Sequence, residues 1–227
     1  MKKALLFDLD DTLLDFQAAE KMALEKIFAD FSIAYTVENL KFYQEINHGL
    51  WHDYEIGKIQ REAITAGRFP LFFAACHLEA DGLKAEEKFR SYLAQAKVEV
   101  PGAAELLGRL KTNYQLYLVT NGIAQTQRAR LKNTGFDQYF SEVFISEELG
   151  AAKPDPQFFS AVLSRLPQLK KEEMLIIGDS LSADIKGGFS AHIDTVWFNP
   201  KNATPKYFPT YQIQTLPELT NLLAKIR

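Results

Sequence analysis

A short apolar run, Ala4-Leu5-Leu6-Phe7, stops abruptly at Asp8-Leu9-Asp10-Asp11-Thr12. A run without polar alternation is typical of a strand covered on both faces, as in parallel sheets flanked by helices. The carboxylates of Asp8, Asp10 and Asp11 would repel one another in a partly dry site, so a cation is expected among them. Compact, hard oxygen ligands suit Mg²⁺. Alternation along the strand places Asp8 and Asp10 on the same side. The segment also reads as a polar turn in which Asp or Thr caps a helix. The rest of the chain decides between the two.

After Thr12 the pattern changes. From Asp15 to about Ala96, apolar residues recur at helical spacing: Phe16, Ala19, Ala23, Leu24, Ile27 and Phe28, then Leu40, Tyr43, Ile46, Leu50 and Trp51. The spacing predicts a first helix, a second over 37–54 broken at Gly57, a third from about Gln60, and further helix up to Gln95. Pro101 is expected in the first turn of a helix over 103–111. Strands and helices then alternate. Strands are predicted over 115–120, 143–146, 174–178, 195–198 and 211–213. Helices are predicted over 125–133 (stopped by Gly135), 156–166, 181–190 and 217–226. The stretch 199–209, with three prolines, reads as a surface loop.

This order implies an α/β fold: a doubly wound, Rossmann-like parallel sheet with an inserted all-helical cap. The expected boundaries are 1–14 and 97–227 for the core and 15–96 for the cap. With 227 residues, 47% of them hydrophobic and including 17 Phe and 9 Tyr, there is enough apolar surface to fill both.

A net charge of −3 and a pI of about 5.9 leave no footprint for a nucleic-acid polymer. The lone cysteine, Cys76, has no partner for an internal disulfide and reads as a buried structural thiol. The apolar run behind Met1-Lys2-Lys3 is cut at Asp8, too short for a signal peptide or a membrane span. The expectation is a cytoplasmic protein with no membrane partner.

Ligands of open α/β sheets bind at the carboxyl ends of the strands. Three expected strands end in polar residues: the first in Asp8 and Asp10, another in Thr120-Asn121-Gly122, a third in Gly178-Asp179-Ser180 with Asp184 shortly after. Lys153 lies in Gly150-Ala151-Ala152-Lys153-Pro154-Asp155-Pro156, a loop held by two prolines. Four separate segments converging on one sheet edge argue against unrelated capping turns.

In this order, Asp8-Leu9-Asp10-Asp11-Thr12, Thr120, Lys153 and Gly178-Asp179-Ser180-Leu181-Ser182-Ala183-Asp184 resemble the four motifs of the haloacid dehalogenase superfamily. The resemblance spans the whole chain, helical cap included. It implies a Mg²⁺-dependent phosphomonoester hydrolase acting through an aspartyl-phosphate. Under it Asp8 is the nucleophile and Asp10 the general acid and base. Thr120, with Asn121 and Gly122 beside it, binds the transferring phosphoryl group. Lys153 offsets charge on the phosphoryl oxygens and on Asp8. The metal sits between the Asp8 carboxylate, the Asp10 main-chain carbonyl and Asp179. Ser180 is a supporting residue. Asp184 meets the metal through water, fixes Lys153, or is a plain helix-face aspartate.

Asp10 narrows the reaction further. Dehalogenating and phosphonate-cleaving members of the superfamily lack this carboxylate, so its presence favours phosphate-ester hydrolysis or a phosphomutase. The cap stretch Asn47-His48-Gly49-Leu50-Trp51-His52-Asp53-Tyr54-Glu55-Ile56-Gly57-Lys58-Ile59, followed by Arg68-Phe69, is similar to that of bacterial pyrimidine nucleoside 5′-monophosphatases that remove non-canonical nucleotides. Trp51 (or Tyr54) either stacks on a base or packs inside the cap. Lys58 either points into the cleft or is solvated. His48, His52, His77 and His192 are read as non-catalytic.

The expected partner is a small phosphate ester, a nucleoside monophosphate on the leading reading, with the protein a monomer or small homo-oligomer. Two other readings stand beside it. One is a sugar-phosphate or phosphoglycolate phosphatase of the same architecture. The other is a catalytically silent binding or regulatory protein, against which the intact set Asp8, Asp10, Lys153 and Asp179 argues.

Overall fold

A computed structural model of the chain describes residues 1–205 and 208–226. In chain order, β1 (Ala4–Phe7) is followed by four helices, α1 (Phe16–Asp30), α2 (Val37–Glu55), α3 (Arg61–Ala75) and α4 (Gly82–Gln95). Then come α5 (Ala103–Leu110), β2 (Gln115–Thr120), α6 (Ala124–Thr134), β3 (Glu142–Ile145), α7 (Ser146–Leu149), α8 (Pro156–Arg165) and β4 (Met174–Gly178). The remainder is α9 (Lys186–Ala191), β5 (Asp194–Phe198), β6 (Tyr211–Ile213) and α10 (Glu218–Lys225). Two compact units result: Met1–Phe16 with Lys97–Arg227, and Gln17–Ala96.

The first unit is a six-stranded parallel sheet in the order β3-β2-β1-β4-β5-β6. The lack of polar alternation in its strands follows from cover on both faces. On one side Leu5 and Phe7 join Leu116, Leu118, Leu175 and Ile177 beneath Leu107 of α5 and Leu219 of α10. On the other, Ala4 and Leu6 join Val119, Met174 and Ile176 beneath Phe158 and Val162 of α8. Each fully buried leucine or phenylalanine contributes about 1.5–3 kcal/mol. The strand order reverses at β1, because the chain goes to β2 and β3 on one side and to β4, β5 and β6 on the other. Such a switch point opens a crevice at the carboxyl ends of the central strands, here β1 and β4.

Three details depart from expectation. Gly102, at φ 86°, stands between Pro101 and α5, so Pro101 precedes the helix instead of sitting in its first turn. The helix expected over 181–190 is a π-helical turn, Leu181–Ile185, running into α9. Its widening is local: the Ser180 carbonyl accepts from both Asp184 N (2.9 Å) and Ile185 N (3.1 Å). Cys76 is half-buried, with Sγ 3.8 Å from Asn39 Oδ1, because it caps the end of α3 and lies outside the aromatic core. Of the loop expected over 199–209, residues 206 and 207 lie outside the described residues. Its start is closed by reciprocal bonds between the Asn199 side chain and the Ala203 backbone, both 2.9 Å.

The second unit is helical throughout its regular elements. Tyr43, Phe69, Phe72, Phe73 and Phe89 form its aromatic core. A buried polar network runs through it. Arg68 donates to Glu86 (2.6 Å at the shortest) and to Asn47 Oδ1 (3.1 Å), and Asn47 donates to Glu20 (3.0 Å). Asn47 and Arg68, part of the stretch that carried the subfamily resemblance, are therefore interior groups of this unit. Among the described residues, no helix is long and apolar enough to cross a membrane.

Candidate active site

The Asp8 amide donates to Ile177 O (2.9 Å), extending the β1–β4 ladder by one residue. The chain then leaves the sheet. Leu9, Leu13 and Leu14 are buried, and the amides of Leu13 and Leu14 both return to Leu9 O at 2.9 Å. Asp11 takes the left-handed conformation at φ 56°, which a short polar side chain tolerates. Because the strand ends at Phe7, this tight loop carries Asp10, where alternation along a longer strand was expected.

Lys153 ties the site together. It is 2% exposed, and its ammonium donates to Asp8 Oδ1 (2.6 Å), Asp184 Oδ1 (2.7 Å) and Val119 O (2.8 Å), so all three N–H donors are used. Burial works against its charge, but Asp184 and Asp8 more than reverse this and hold it firmly protonated. Asn121 braces the Lys153 loop: its amide donates to Lys153 O and accepts from Lys153 N, both 2.8 Å. Of the sequence candidates for phosphate binding, Asn121 thus has a structural tie that spacing did not suggest.

At the end of β4, Asp179 is tied to the β1 loop. Its amide donates to Thr12 Oγ1 (3.1 Å), and the Thr12 hydroxyl donates back to Asp179 Oδ1 (3.4 Å). Trp197 Nε1 donates to Asp179 O (2.7 Å). Asp184 is fully buried, with Oδ1 on Lys153 and Oδ2 accepting from Ser180 N (3.1 Å). Gly178 makes room for it, since a Cβ there would collide with the Asp184 carboxylate. Asp184 thus has a direct tie to Lys153 and does not lie on an exposed helix face. Ser180 accepts from Ala183 N (3.1 Å) through its side chain and caps the π-helical turn.

Oxygens of Asp8, Asp179 and Asp184 lie within 4.8 Å of one another. Burial, then Asp8, Asp184 and Asp11, push the Asp179 carboxyl well above the ordinary range. Burial, opposed by Lys153 and reinforced by Asp184 and Asp10, pushes Asp8 up to about 7. Carboxylates so strained toward protonation, with oxygen donors only, fit a hard divalent cation. Both Asp184 oxygens accept from protein donors, whereas Lys153 takes one oxygen of Asp8 and Thr12 one of Asp179.

Thr120 ends β2. Its hydroxyl oxygen accepts from Gly122 N (3.2 Å) and from Gln127 Nε2 (3.0 Å). Gln127 and Arg130, on α6, were not singled out by the sequence. Gln127 Nε2 also donates to Asp10 Oδ2 (2.6 Å), and Arg130 pairs with Asp10 Oδ1. Their only sequence signal is a spacing of three residues in the helix after Thr120-Asn121-Gly122.

Asp8, Asp10, Thr120, Lys153, Asp179 and Asp184 are thus linked within the sheet unit. Trp51 and Lys58 belong to the helical unit. There Trp51 is half-buried and meets Tyr54 edge-on at 5.9 Å, and the Lys58 side chain, 66% exposed, pairs with Asp53 at 3.0 Å.

A family model described as haloacid dehalogenase-like hydrolase matches residues 2–192. The chain is 40% identical to the pyrimidine 5′-nucleotidase PynA of Streptococcus pneumoniae, over 98% of this chain and 95% of the relative. It is 33% identical to the pyrimidine 5′-nucleotidase YjjG of Escherichia coli, over 97% of each. The crystal structure of the HAD-hydrolase YfnB of Bacillus subtilis, bound to magnesium, superposes with a TM-score of 0.94 at 43% identity, covering 98% of this chain and 99% of that one.

Proposed function

The chain belongs to the haloacid dehalogenase-like hydrolases, and from that premise we propose that it is a Mg²⁺-dependent nucleoside 5′-monophosphatase that prefers pyrimidine nucleotides. The observation that carries the reading is the Asp8 carboxylate, 7% exposed at the switch point and oriented through one oxygen by Lys153 at 2.6 Å. The whole-length likeness to two pyrimidine 5′-nucleotidases supports the substrate class. The cytoplasm is the compartment that goes with it.

Asp8 attacks phosphorus, its O–P bond forming as the bond to the leaving oxygen breaks. Asp10 delivers a proton to that oxygen. As a carboxylate it then takes one from the water that attacks the aspartyl-phosphate, releasing inorganic phosphate and restoring both aspartates. Thr120 donates to a phosphoryl oxygen, and Lys153 holds the nucleophile in line. Bound by Asp8, Asp179 and the Asp10 main-chain carbonyl, Mg²⁺ would supply positive charge against the carboxylates and the phosphoryl oxygens.

Phosphate release from purified protein with Mg²⁺ tests this directly. The panel holds pyrimidine and purine nucleoside monophosphates, hexose phosphates, phosphoglycolate and p-nitrophenyl phosphate. A pyrimidine monophosphate is expected to lead in kcat/KM, with activity lost in EDTA and restored by Mg²⁺. Preference for phosphoglycolate or a hexose phosphate over every nucleotide overturns the nucleotidase reading. Full activity after exhaustive metal removal overturns the metal.

Lys58 and Trp51, in the helical unit, are the proposed residues for substrate choice. Lys58→Ala and Trp51→Ala are expected to lower kcat/KM for the nucleotide by about 10-fold, the scale of one stacking or charged contact. The effect on p-nitrophenyl phosphate should be small. Equal losses on both substrates remove these two residues from substrate choice.

A further inference from the structure

Gln127 and Arg130 are each 1% exposed and three residues apart on α6, so they share one helix face. Both bind Asp10. One Gln127 amide hydrogen goes to Asp10 Oδ2 (2.6 Å) and the other to Thr120 Oγ1 (3.0 Å). Arg130 Nη1 divides in the same way between Asp10 Oδ1 and Gln127 Oε1, the latter at 3.0 Å. Each Asp10 oxygen therefore has its own donor, and the two donors are bonded to each other. The Phe16 ring lies 5.6 Å from the Arg130 guanidinium. Arg130 Nε is buried and has no hydrogen-bond partner among the described residues, which costs stability.

The Thr120 hydroxyl is constrained by the same glutamine. A hydroxyl oxygen has two acceptor positions and one hydrogen. Gly122 N and Gln127 Nε2 fill the acceptor positions, which leaves the hydrogen to donate elsewhere. Gly122 in turn has to be glycine for Gln127 to lie where it does, because a Cβ would overlap the Gln127 side chain.

We propose that Gln127 and Arg130 are positioning residues for proton transfer: they fix the plane of the Asp10 carboxyl group and, through Gln127, point the Thr120 hydroxyl hydrogen at the phosphoryl group. A carboxylic acid donates within its own plane, so the plane decides whether the proton can reach the leaving oxygen. The inference rests on Asp10 being the acid and base.

The test is the dependence of kcat/KM on leaving-group basicity, measured with p-nitrophenyl, phenyl and simple alkyl phosphates. p-Nitrophenolate leaves without a proton, whereas an alkoxide needs one. Asp10→Asn should fall steeply along the series, by about 10²–10⁴-fold more on the alkyl ester than on p-nitrophenyl phosphate. Gln127→Leu should steepen it by about 10- to 100-fold, a fraction of that range. Gly122→Ala displaces the same side chain without removing it and should steepen the series in the same sense, which keeps the inference testable if Gln127→Leu folds poorly. A merely structural role for Gln127 predicts uniform loss, with the slope of the unmodified enzyme. That parallel slope in both variants, with a steep Asp10→Asn, overturns the positioning role. A flat Asp10→Asn series overturns the acid assignment itself.

Discussion

Asp8→Asn is expected to abolish steady-state turnover, by at least about 10⁴-fold, while raising the Tm of the metal-free protein at pH 8. Asparagine keeps an oxygen at the Oδ1 position for Lys153 but is a poor nucleophile. The stability gain follows from linkage. The folded-state pKa of Asp8 is raised from 3.8 to about 7, burial being the largest cause. A raised carboxyl favours the fold fully below about 3.8 and loses that advantage as the pH climbs toward 7, because the unfolded chain ionises more readily. Above that window the ionised Asp8 costs on the order of 4 kcal/mol at most. An uncharged Asn escapes this, so the Tm difference should shrink as the pH falls toward 4. Mg²⁺ should stabilise the unmodified protein more than the variant, since it binds the native carboxylates. Turnover above a contaminant control, or a variant less stable than the parent at pH 8, contradicts this account.

Such a trade of stability for chemistry explains which parts of the site were legible in the sequence. Asp8, Thr120 and Asp179 each follow an apolar strand, where burial on both faces leaves no solvent reason for a polar run to begin. Lys153 stands just before two prolines, Pro154 and Pro156, that fix its loop. Gln127 and Arg130 gave no comparable signal. In α6 they sit among Gln125, Arg128 and Lys132, and a polar helix with Arg and Gln reads as a solvated face. Their bonds to Asp10 and Thr120 are what turn that face inward. Asp184 was ambiguous for a related reason: helical spacing does not say which face is covered, and in the π-helical turn its carboxylate lies against Gly178. In the helical unit, Asn47 and Arg68 lie in the stretch that carried the subfamily resemblance, and their burial in an ion-pair network is a tertiary fact that the sequence does not print.

Lys153→Met is expected to inactivate the enzyme and to destabilise it by about 3–5 kcal/mol, the cost of breaking a buried ion pair on one side. The methionine fills most of the volume but leaves Asp184, fully buried, facing an apolar chain where an ammonium stood at 2.7 Å, and it strips the Val119 carbonyl of its donor. The raised pKa of Lys153 means that it stays charged and its pairing stabilises the fold everywhere below 10.5, fading only above that, so any pH dependence of the loss near neutrality comes from Asp8, whose carboxyl Lys153 pulls down. A second change separates charge from packing. Asp184→Asn in the Lys153→Met background removes the orphaned charge while keeping an acceptor for Ser180 N, so urea unfolding in EDTA should recover most of the lost stability. Activity should not return, because nothing then holds the Asp8 carboxylate in line. Asp184→Asn alone should change Mg²⁺ affinity much less than Asp179→Asn does, since both Asp184 oxygens face protein donors. A double variant as unstable as Lys153→Met would show that the buried charge of Asp184 is not what the lysine offsets. A Mg²⁺ affinity lost equally in both aspartate variants would make Asp184 a metal ligand and not the anchor of Lys153.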